Sequence, residues 1–304
     1  MCAARALERL NRKNAYPIPL EMGGFSAAHP LRNWNLIREV AKGLKENGLC
    51  MDFYSYHMYD DPENRSLVMG GLLHLTRLSG VEKIREIYRL HQEMIRDLGL
   101  PPKPVFLDET GRARATGVDG DSIHNAAGLL TYLVAFAEGE WEGMYPFPWC
   151  TFHNPELQIS YTQYLLRPDG SYAATPNGIA LEMLHSLSGS LLEKSVSFPA
   201  SPDGDYTALA VKNGEEISVL MVNPAPNSYP AALEISGLSE GEWEAEVFRC
   251  NHLDNNVVTR AGKGTGALSA TGRFSARPEN GVLRHTELLD KDSFVLLKFK
   301  KRNY

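Results

Sequence analysis

Residues 105–111 of the chain read Val-Phe-Leu-Asp-Glu-Thr-Gly, and this stretch decides the fold. Three apolar residues that favour strands follow the proline-rich residues 101–104 and lead into two adjacent carboxylates and a glycine. A short apolar run of this kind is typical of a buried parallel strand. In an α/β barrel, catalytic groups collect at the C-terminal ends of the strands. Asp108 and Glu109 therefore form a candidate site, although a strand-end salt bridge or a helix cap also explains an isolated Asp-Glu pair.

Length, composition and charge narrow the class of protein. A chain of 304 residues can bury the cores of two domains, and its 43% apolar and 22% charged residues are ordinary for a globular protein. A net charge of −6 without Lys/Arg-rich runs predicts neither nucleic acid nor membrane-surface partners. The four cysteines form no CxxC pair, which predicts neither a zinc site nor a disulfide framework. The N-terminus lacks the apolar core of a signal peptide, so we expect a cytoplasmic protein.

Strand and helix patterns alternate four times within the first 188 residues. Strands are predicted at residues 18–25, 51–59, 105–109 and 143–149, with helical patterns around 34–47, 84–98, 121–137 and 179–187. Such alternation implies parallel strands joined by right-handed crossovers. A complete eightfold barrel needs roughly 250 residues, so four units make about half of one. The sequence therefore predicts a partial (β/α)8 TIM barrel over residues 1–188.

The pattern changes after residue 188. Residues 217–223 and 293–299 are short apolar runs of strand type, and residues 242–247 alternate strictly between polar and apolar side chains. Turn-forming clusters separate these runs. We predict that residues 189–304 form an antiparallel β-sandwich, so that the protein as a whole is of the α/β class with an accessory β domain.

Four motifs resemble a known family. Residues 54–59 (Tyr-Ser-Tyr-His-Met-Tyr), 105–109 and 145–149 (Tyr-Pro-Phe-Pro-Trp) are similar to the last three strands of a clan A glycoside hydrolase barrel, and residues 219–223 resemble its accessory sandwich. The chain is most similar to family 39, the β-xylosidase and α-L-iduronidase group, followed by arabinofuranosidase and glucuronidase families of the same clan. The resemblance implies retaining hydrolysis of O-glycosides by double displacement, a carbohydrate substrate, and no metal or organic cofactor.

The resemblance also implies site residues. Glu109 corresponds to the nucleophile at the end of the seventh strand. His57 and Tyr59 correspond to a pair that hydrogen-bonds the nucleophile and a sugar hydroxyl, although a strand histidine is also common as a core group. Trp149 corresponds to a sugar-stacking floor, for which ordinary core packing is the alternative, and Glu156 lies in the following loop within reach of sugar hydroxyls.

The general acid/base is where the sequence departs from the family. The clan carries it in an Asn-Glu pair at the end of the fourth strand, and no predicted strand here ends in that pair. Glu21 is the one upstream candidate, and it lies inside the strand that resembles the fifth. Strand alternation places Asp108 on the opposite face from Glu109, where we expect it to form an ion pair beneath the helices.

These observations predict that strands one to four and the proton donor are missing, and they leave three functional hypotheses open. The first is a glycoside hydrolase or its C-terminal part. The second is a truncated or degenerate non-catalytic relic that binds sugar. The third is one half of a split glycosidase. An opened barrel exposes strand edges and an apolar inner face, so we also expect self-association or pairing with a missing N-terminal half-barrel.

Overall fold

The computed structural model describes residues 2–14, 17–60, 66–69, 72–75, 80–112, 122–139, 141–148, 162–194, 206–258 and 264–302. Contacts divide the chain into two compact units. The first unit comprises Met1–Ala113 and Gly139–Trp149, and the second comprises Arg114–Glu138 and Cys150–Tyr304. The boundary between residues 188 and 189 expected from the sequence stays a prediction.

The helices and strands of the described residues follow one another in a regular order. They are α1 (Cys2–Asn14), β1 (Gly23–Ala27), α2 (Trp34–Glu46), β2 (Phe53–Asp60), β3 (Ser66–Met69), β4 (Leu72–Leu75), α3 (Gly80–Leu98), β5 (Val105–Arg112), α4 (Ile123–Glu138), β6 (Met144–Pro148), β7 (Tyr164–Leu166), β8 (Tyr172–Ala174), α5 (Pro176–His185), β9 (Ser190–Leu191), β10 (Thr207–Asn213), β11 (Glu216–Asn223), β12 (Tyr229–Ile235), β13 (Trp243–Cys250), β14 (Gly272–Ala276), β15 (Leu283–Leu289) and β16 (Ser293–Lys301). Two short hairpins, β3–β4 and β7–β8, were not expected from the sequence.

A four-stranded sheet in the order β1-β2-β5-β6 forms the centre of the first unit. All three strand pairs are parallel, which confirms the prediction made from the alternation of strands and helices. The helical periodicity of α3 is confirmed as well, because Ile84, Ile87, His91 and Met94 are buried along one face. The sequence periodicity places Ile37, Val40, Ala41 and Leu44 on one apolar face of α2; all of these are buried except Val40, whose side chain is exposed.

The first strand lies later in the chain than its sequence pattern indicates. The predicted strand over residues 18–25 begins instead at Gly23, and Gly23 and Gly24 pair with Phe53 and Tyr54 of β2, although the sequence favours a turn at this Gly-Gly pair. A Cβ on Gly23 would lie 1.9 Å from the ring of Phe53, so only glycine allows this close approach of β1 to β2. Glu21 therefore lies before the start of β1.

The second unit contains a six-stranded antiparallel sheet in the order β14-β13-β16-β11-β10-β9. The separate β12–β15 pair contributes to one core cluster with β11, β13 and β16, and helices α4 and α5 contribute to a second cluster with the same sheet. Residues of β11 alternate between the two clusters, so all but its first residue are buried. This burial on both sides explains why its sequence is a continuous apolar run.

Among the described residues, no helix combines the length and apolar character that a bilayer span requires.

Candidate active site

The polar side chains of the parallel sheet lie on one of its two faces. Tyr54 and Tyr56 of β2 contact His91 of α3, and the Tyr56 ring also lies beside Trp34 of α2, so the even-numbered positions face helices. Side chains alternate along a strand, and His57 and Tyr59 consequently point to the other face. This opposite face of β1, β2, β5 and β6 is called the inner face below.

Glu109 of β5 is the centre of the polar group on the inner face. Its Oε2 accepts a 2.9 Å hydrogen bond from the hydroxyl of Tyr59 and lies 3.1 Å from Nδ1 of His57. The side chains of Glu109 and His57 are 24% and 14% exposed, so the carboxylate is partly desolvated but reachable. The structure thus brings together Glu109, His57 and Tyr59, all three proposed from the sequence. Oε1 of Glu109 is left without a hydrogen-bond partner among the described residues.

Tyr59 is held at its backbone as well as at its side chain. Lys83 of α3, whose side chain is buried, donates a hydrogen bond from Nζ to the carbonyl of Tyr59. A buried ammonium is costly without partners, so this contact ties the end of β2 to the adjacent helix. No sequence pattern distinguishes Lys83 from an ordinary surface lysine.

Strand alternation is interrupted between Leu107 and Glu109, on either side of Asp108. The register of β2 and β5 pairs Tyr56 with Leu107 and then His57 with Glu109, so Asp108 is the extra residue of a β-bulge. Its Oδ1 lies 3.7 Å from Nε2 of His57. The expectation that Asp108 and Glu109 face opposite sides is therefore wrong, because the bulge interrupts the two-residue period and both carboxylates flank one imidazole.

Ser26 is a site neighbour that the sequence did not reveal. The register of β1 skips it between Phe25 and Ala27, and its φ of 48° is left-handed, so β1 also carries an irregularity here. The Ser26 hydroxyl donates a 2.7 Å hydrogen bond to Oδ2 of Asp108, and its backbone N–H donates to Oγ of Ser55. Ser26 and Asp108, the irregular positions of β1 and β5, are thus hydrogen-bonded to each other across β2. A serine after Gly-Gly-Phe carries no sequence signal for this contact.

The inner face is aromatic beside the polar group. The ring of Phe106 lies 5.2 Å from that of Phe53, 5.9 Å from that of Tyr145 and 5.6 Å from that of Phe147, measured between centroids. Tyr145 and Phe147 of β6 are 51% and 50% exposed. Exposed rings next to a carboxylate provide a surface on which the apolar face of a sugar ring can pack. The sequence assigned this role to Trp149, but Trp149 and Glu156 lie outside the described residues.

Neither a second catalytic carboxylate nor a metal centre is evident in the described part of the chain. Glu21 precedes β1, and because the strands are parallel it lies at the opposite end of the sheet from Glu109. This position argues against Glu21 as the proton donor. No group of three or more His, Cys, Asp or Glu residues suited to holding a metal ion occurs in the ranges that the structure describes.

No protein-family model matches the sequence, and no curated protein does either. Solved structures do match. The GH39 enzyme from Xanthomonas axonopodis pv. citri superposes with a TM-score of 0.68 and 17% identity over 98% of this chain and 63% of that chain. A bacterial orthologue of human α-L-iduronidase superposes with a TM-score of 0.66 and 14% identity, over 96% of this chain and 57% of that chain. A GH86 enzyme solved with neoagarooctaose superposes with a TM-score of 0.63 and 17% identity, over 99% of this chain and 47% of that chain.

The chain spans less than two thirds of each of these three structures. At such low identity the similarity shows the fold and leaves the activity open. The fold resemblance inferred from four short motifs is confirmed. The chain has the fold of part of a family 39 glycoside hydrolase, with four parallel strands of its barrel followed by antiparallel sheets.

Proposed function

We propose that Glu109 is the nucleophile of a retaining glycosidase that cleaves O-glycosidic bonds. One observation carries this proposal: Oε2 of Glu109 is approached by Tyr59 and His57 while no described residue hydrogen-bonds Oε1. A carboxylate held in this way has one oxygen fixed and one free to attack. In the first step Oε1 forms a bond to the anomeric carbon and the leaving oxygen departs with the bonding electron pair. Water then hydrolyses the glycosyl ester.

The position of Glu109 in the fold supports the proposal. It lies near the C-terminal end of a parallel strand, where barrel enzymes collect their catalytic groups. Exposed aromatic rings on the neighbouring strand β6 offer a sugar-packing surface next to it. The matching structures include a GH39 enzyme and a GH86 enzyme with a bound oligosaccharide, which favours a carbohydrate as the substrate class.

A retaining enzyme also needs a proton donor with its carboxyl about 5–5.5 Å from that of the nucleophile. Asp108 does not fit this role, because its Oδ2 accepts a hydrogen bond from Ser26 and its Oδ1 is buried beside His57. We propose that the donor comes from a segment or a separate polypeptide outside the described residues. General acid catalysis is worth roughly 10²–10⁴-fold in rate. The chain by itself is therefore expected to react with aryl glycosides that have acidic leaving groups and not with alkyl glycosides.

The experiment is azide rescue of a Glu109→Ala variant on a panel of dinitrophenyl glycosides. If Glu109 is the nucleophile, the variant loses hydrolysis, and azide restores release of dinitrophenol by forming a glycosyl azide of inverted configuration. Glu142→Ala is the matched control, because Glu142 is an exposed carboxylate of the same unit. Hydrolysis by Glu109→Ala at the wild-type rate without azide would refute the assignment.

A non-catalytic sugar-binding role is the second candidate, and the half-exposed rings of Tyr145 and Phe147 favour it. This role predicts saturable binding of an oligosaccharide, measured by calorimetry, that Glu109→Ala leaves intact and that Phe147→Ala weakens. Dinitrophenol release that depends on Glu109 would decide for catalysis. Binding without any such release would decide for the sugar-binding role.

A further inference from the structure

Asp108 has a carboxylate whose two oxygens are in different environments. Oδ2 accepts the hydroxyl hydrogen bond of Ser26 at 2.7 Å. Oδ1 is buried, has no hydrogen-bond partner among the described residues, and lies 3.7 Å from Nε2 of His57. This distance is too long for a direct hydrogen bond, so the interaction of Oδ1 with the ring is electrostatic. Ser26 thus fixes one oxygen of Asp108 while the other faces the imidazole.

His57 lies between two consecutive carboxylates, with Nδ1 toward Glu109 and Nε2 toward Asp108. A half-turn of the ring about its Cβ–Cγ bond would place carbon atoms where these two nitrogens now lie. A carboxylate attracts the N–H groups of a ring that carries a proton on both nitrogens more strongly than it attracts the ring C–H groups, at hydrogen-bonding distance and beyond it. A carboxylate on each side therefore favours the observed ring orientation over the flipped one, whereas Glu109 alone would favour it from one side only.

We propose that Asp108 is a positioning residue for Glu109 and acts through His57. It holds the imidazole in the orientation that presents Nδ1 to Oε2, so that His57 and Tyr59 both bind Oε2 and Oε1 is left to attack the substrate. The inference rests on the proposed role of Glu109. The bulge is what makes the arrangement possible: alternation from Phe106 leaves Asp108 on the inner face, and the bulge turns Glu109 to that face as well, opposite His57.

The ring of His57 provides a test that needs no activity. NMR of the full chain with isotope-labelled histidine reports which ring nitrogen carries a proton, and His57→Gln identifies the signals of this residue among the nine histidines. In the wild type we expect one ring orientation, with Nδ1–H toward Glu109 and Nε2–H toward Asp108. Asp108→Ala should give signals averaged over both orientations or both tautomers. Asp108→Asn should retain the wild-type pattern, because its amide oxygen can take the place of Oδ1 beside Nε2 while its nitrogen donates to the hydroxyl oxygen of Ser26.

The rate of covalent labelling tests the consequence for Glu109. A dinitrophenyl glycoside with fluorine beside the anomeric carbon forms the glycosyl ester on Glu109 and expels dinitrophenolate, and intact mass spectrometry follows this step. Asp108→Ala should lower the limiting labelling rate by about 10- to 100-fold, because a misplaced catalytic group costs that much. The half-saturating reagent concentration should stay unchanged, since Asp108 does not touch the reagent. Asp108→Asn should label at close to the wild-type rate.

The two measurements separate the possible failures. If the wild type is labelled and Asp108→Ala is labelled at the same rate, the positioning role is wrong and the nucleophile assignment stands. If the wild type shows the expected ring signals but no reagent labels it, the proposed function fails for this chain. Unchanged His57 signals in Asp108→Ala would overturn the positioning role in either case. Ser26→Ala provides a milder variant in case Asp108→Ala does not fold, and it should shift the ring signals in the same direction.

Discussion

The hydroxyl of Tyr59 donates a 2.9 Å hydrogen bond to Oε2 of Glu109 across the neighbouring parallel strands β2 and β5. The register places Tyr59 opposite Gly111, two residues beyond Glu109, so the tyrosine reaches back along the sheet to the carboxylate. Glycine at position 111 presents no side chain beside this contact. The bond orients the carboxylate from the C-terminal side while His57 approaches the same oxygen.

Removing the Tyr59 hydroxyl tests this orientation directly. Tyr59→Phe keeps the ring and deletes the donor to Oε2. We expect the labelling rate of Glu109 by an activated aryl glycoside to fall about tenfold, which corresponds to about 1.4 kcal/mol of activation free energy. Labelling is measured by intact mass, with Tyr88→Phe of the same unit as control. An unchanged rate would show that the hydroxyl does not orient the nucleophile.

Stability should depend on pH through His91. Burial lowers the pKa of this histidine from 6.5 to about 4. Below pH 6.5 the unfolded chain therefore binds a proton that the folded chain does not bind until about pH 4. The stability of the first unit should fall as the pH drops through this window, by about 3 kcal/mol in total.

Urea unfolding at pH 7 and at pH 4.5 measures the effect, and His91→Gln is the comparison because glutamine does not titrate. The wild type should lose more stability than His91→Gln between the two pH values. Equal losses would mean that His91 is protonated in the folded protein or does not contribute.

Gly23→Ala should destabilise the first unit. The added Cβ would lie 1.9 Å from the ring of Phe53, and that ring packs against Phe106 and cannot move without cost. We expect a loss of about 1–3 kcal/mol, the usual cost of overpacking. Combining Gly23→Ala with Phe53→Leu should cost less than the sum of the two single changes, as measured by urea unfolding. Strict additivity would contradict the predicted clash.

Arg249 and Glu287 link the six-stranded sheet to the β12–β15 pair through two hydrogen bonds of 2.7 and 2.9 Å. Glu287 is only 3% exposed, so removal of the Arg249 guanidinium leaves a buried carboxylate whose one remaining partner among the described residues is His285. Arg249→Met should cost about 3 kcal/mol of unfolding free energy. The double variant with Glu287→Met should recover most of this loss. A double variant as unstable as the single one would show that packing, and not charge, dominates here.

Local patterns were sufficient to predict the parallel strands and helices of the first unit and several strands of the second, although not the hairpins β3–β4 and β7–β8. The periodicity of residues 84–98 and the apolar run of residues 105–107 report which side chains are buried, and burial follows directly from periods of 3.6 and 2. The antiparallel strands β11, β13 and β16 were found in the same way. The proximity of Glu109 to His57 and Tyr59 was implied by the resemblance to the glycosidase strands, and it agrees with the parallel order of β2 and β5, which brings their C-terminal ends to one edge of the sheet.

Tertiary structure alone decided how the site is assembled. Whether Glu109 faces the helices or joins Asp108 beside the imidazole depends on a bulge, and a bulge is set by the pairing of β5 with β2 and not by the residues of β5 themselves. Ser26 contributes for the same reason, since its left-handed backbone and its bond to Asp108 arise where β1 meets β2. The amino-acid sequence by itself determined which strands carry the carboxylates, because hydrophobic patterning is local. The direction in which each carboxylate points was fixed only by the register between strands, because a one-residue irregularity reverses every face that follows it.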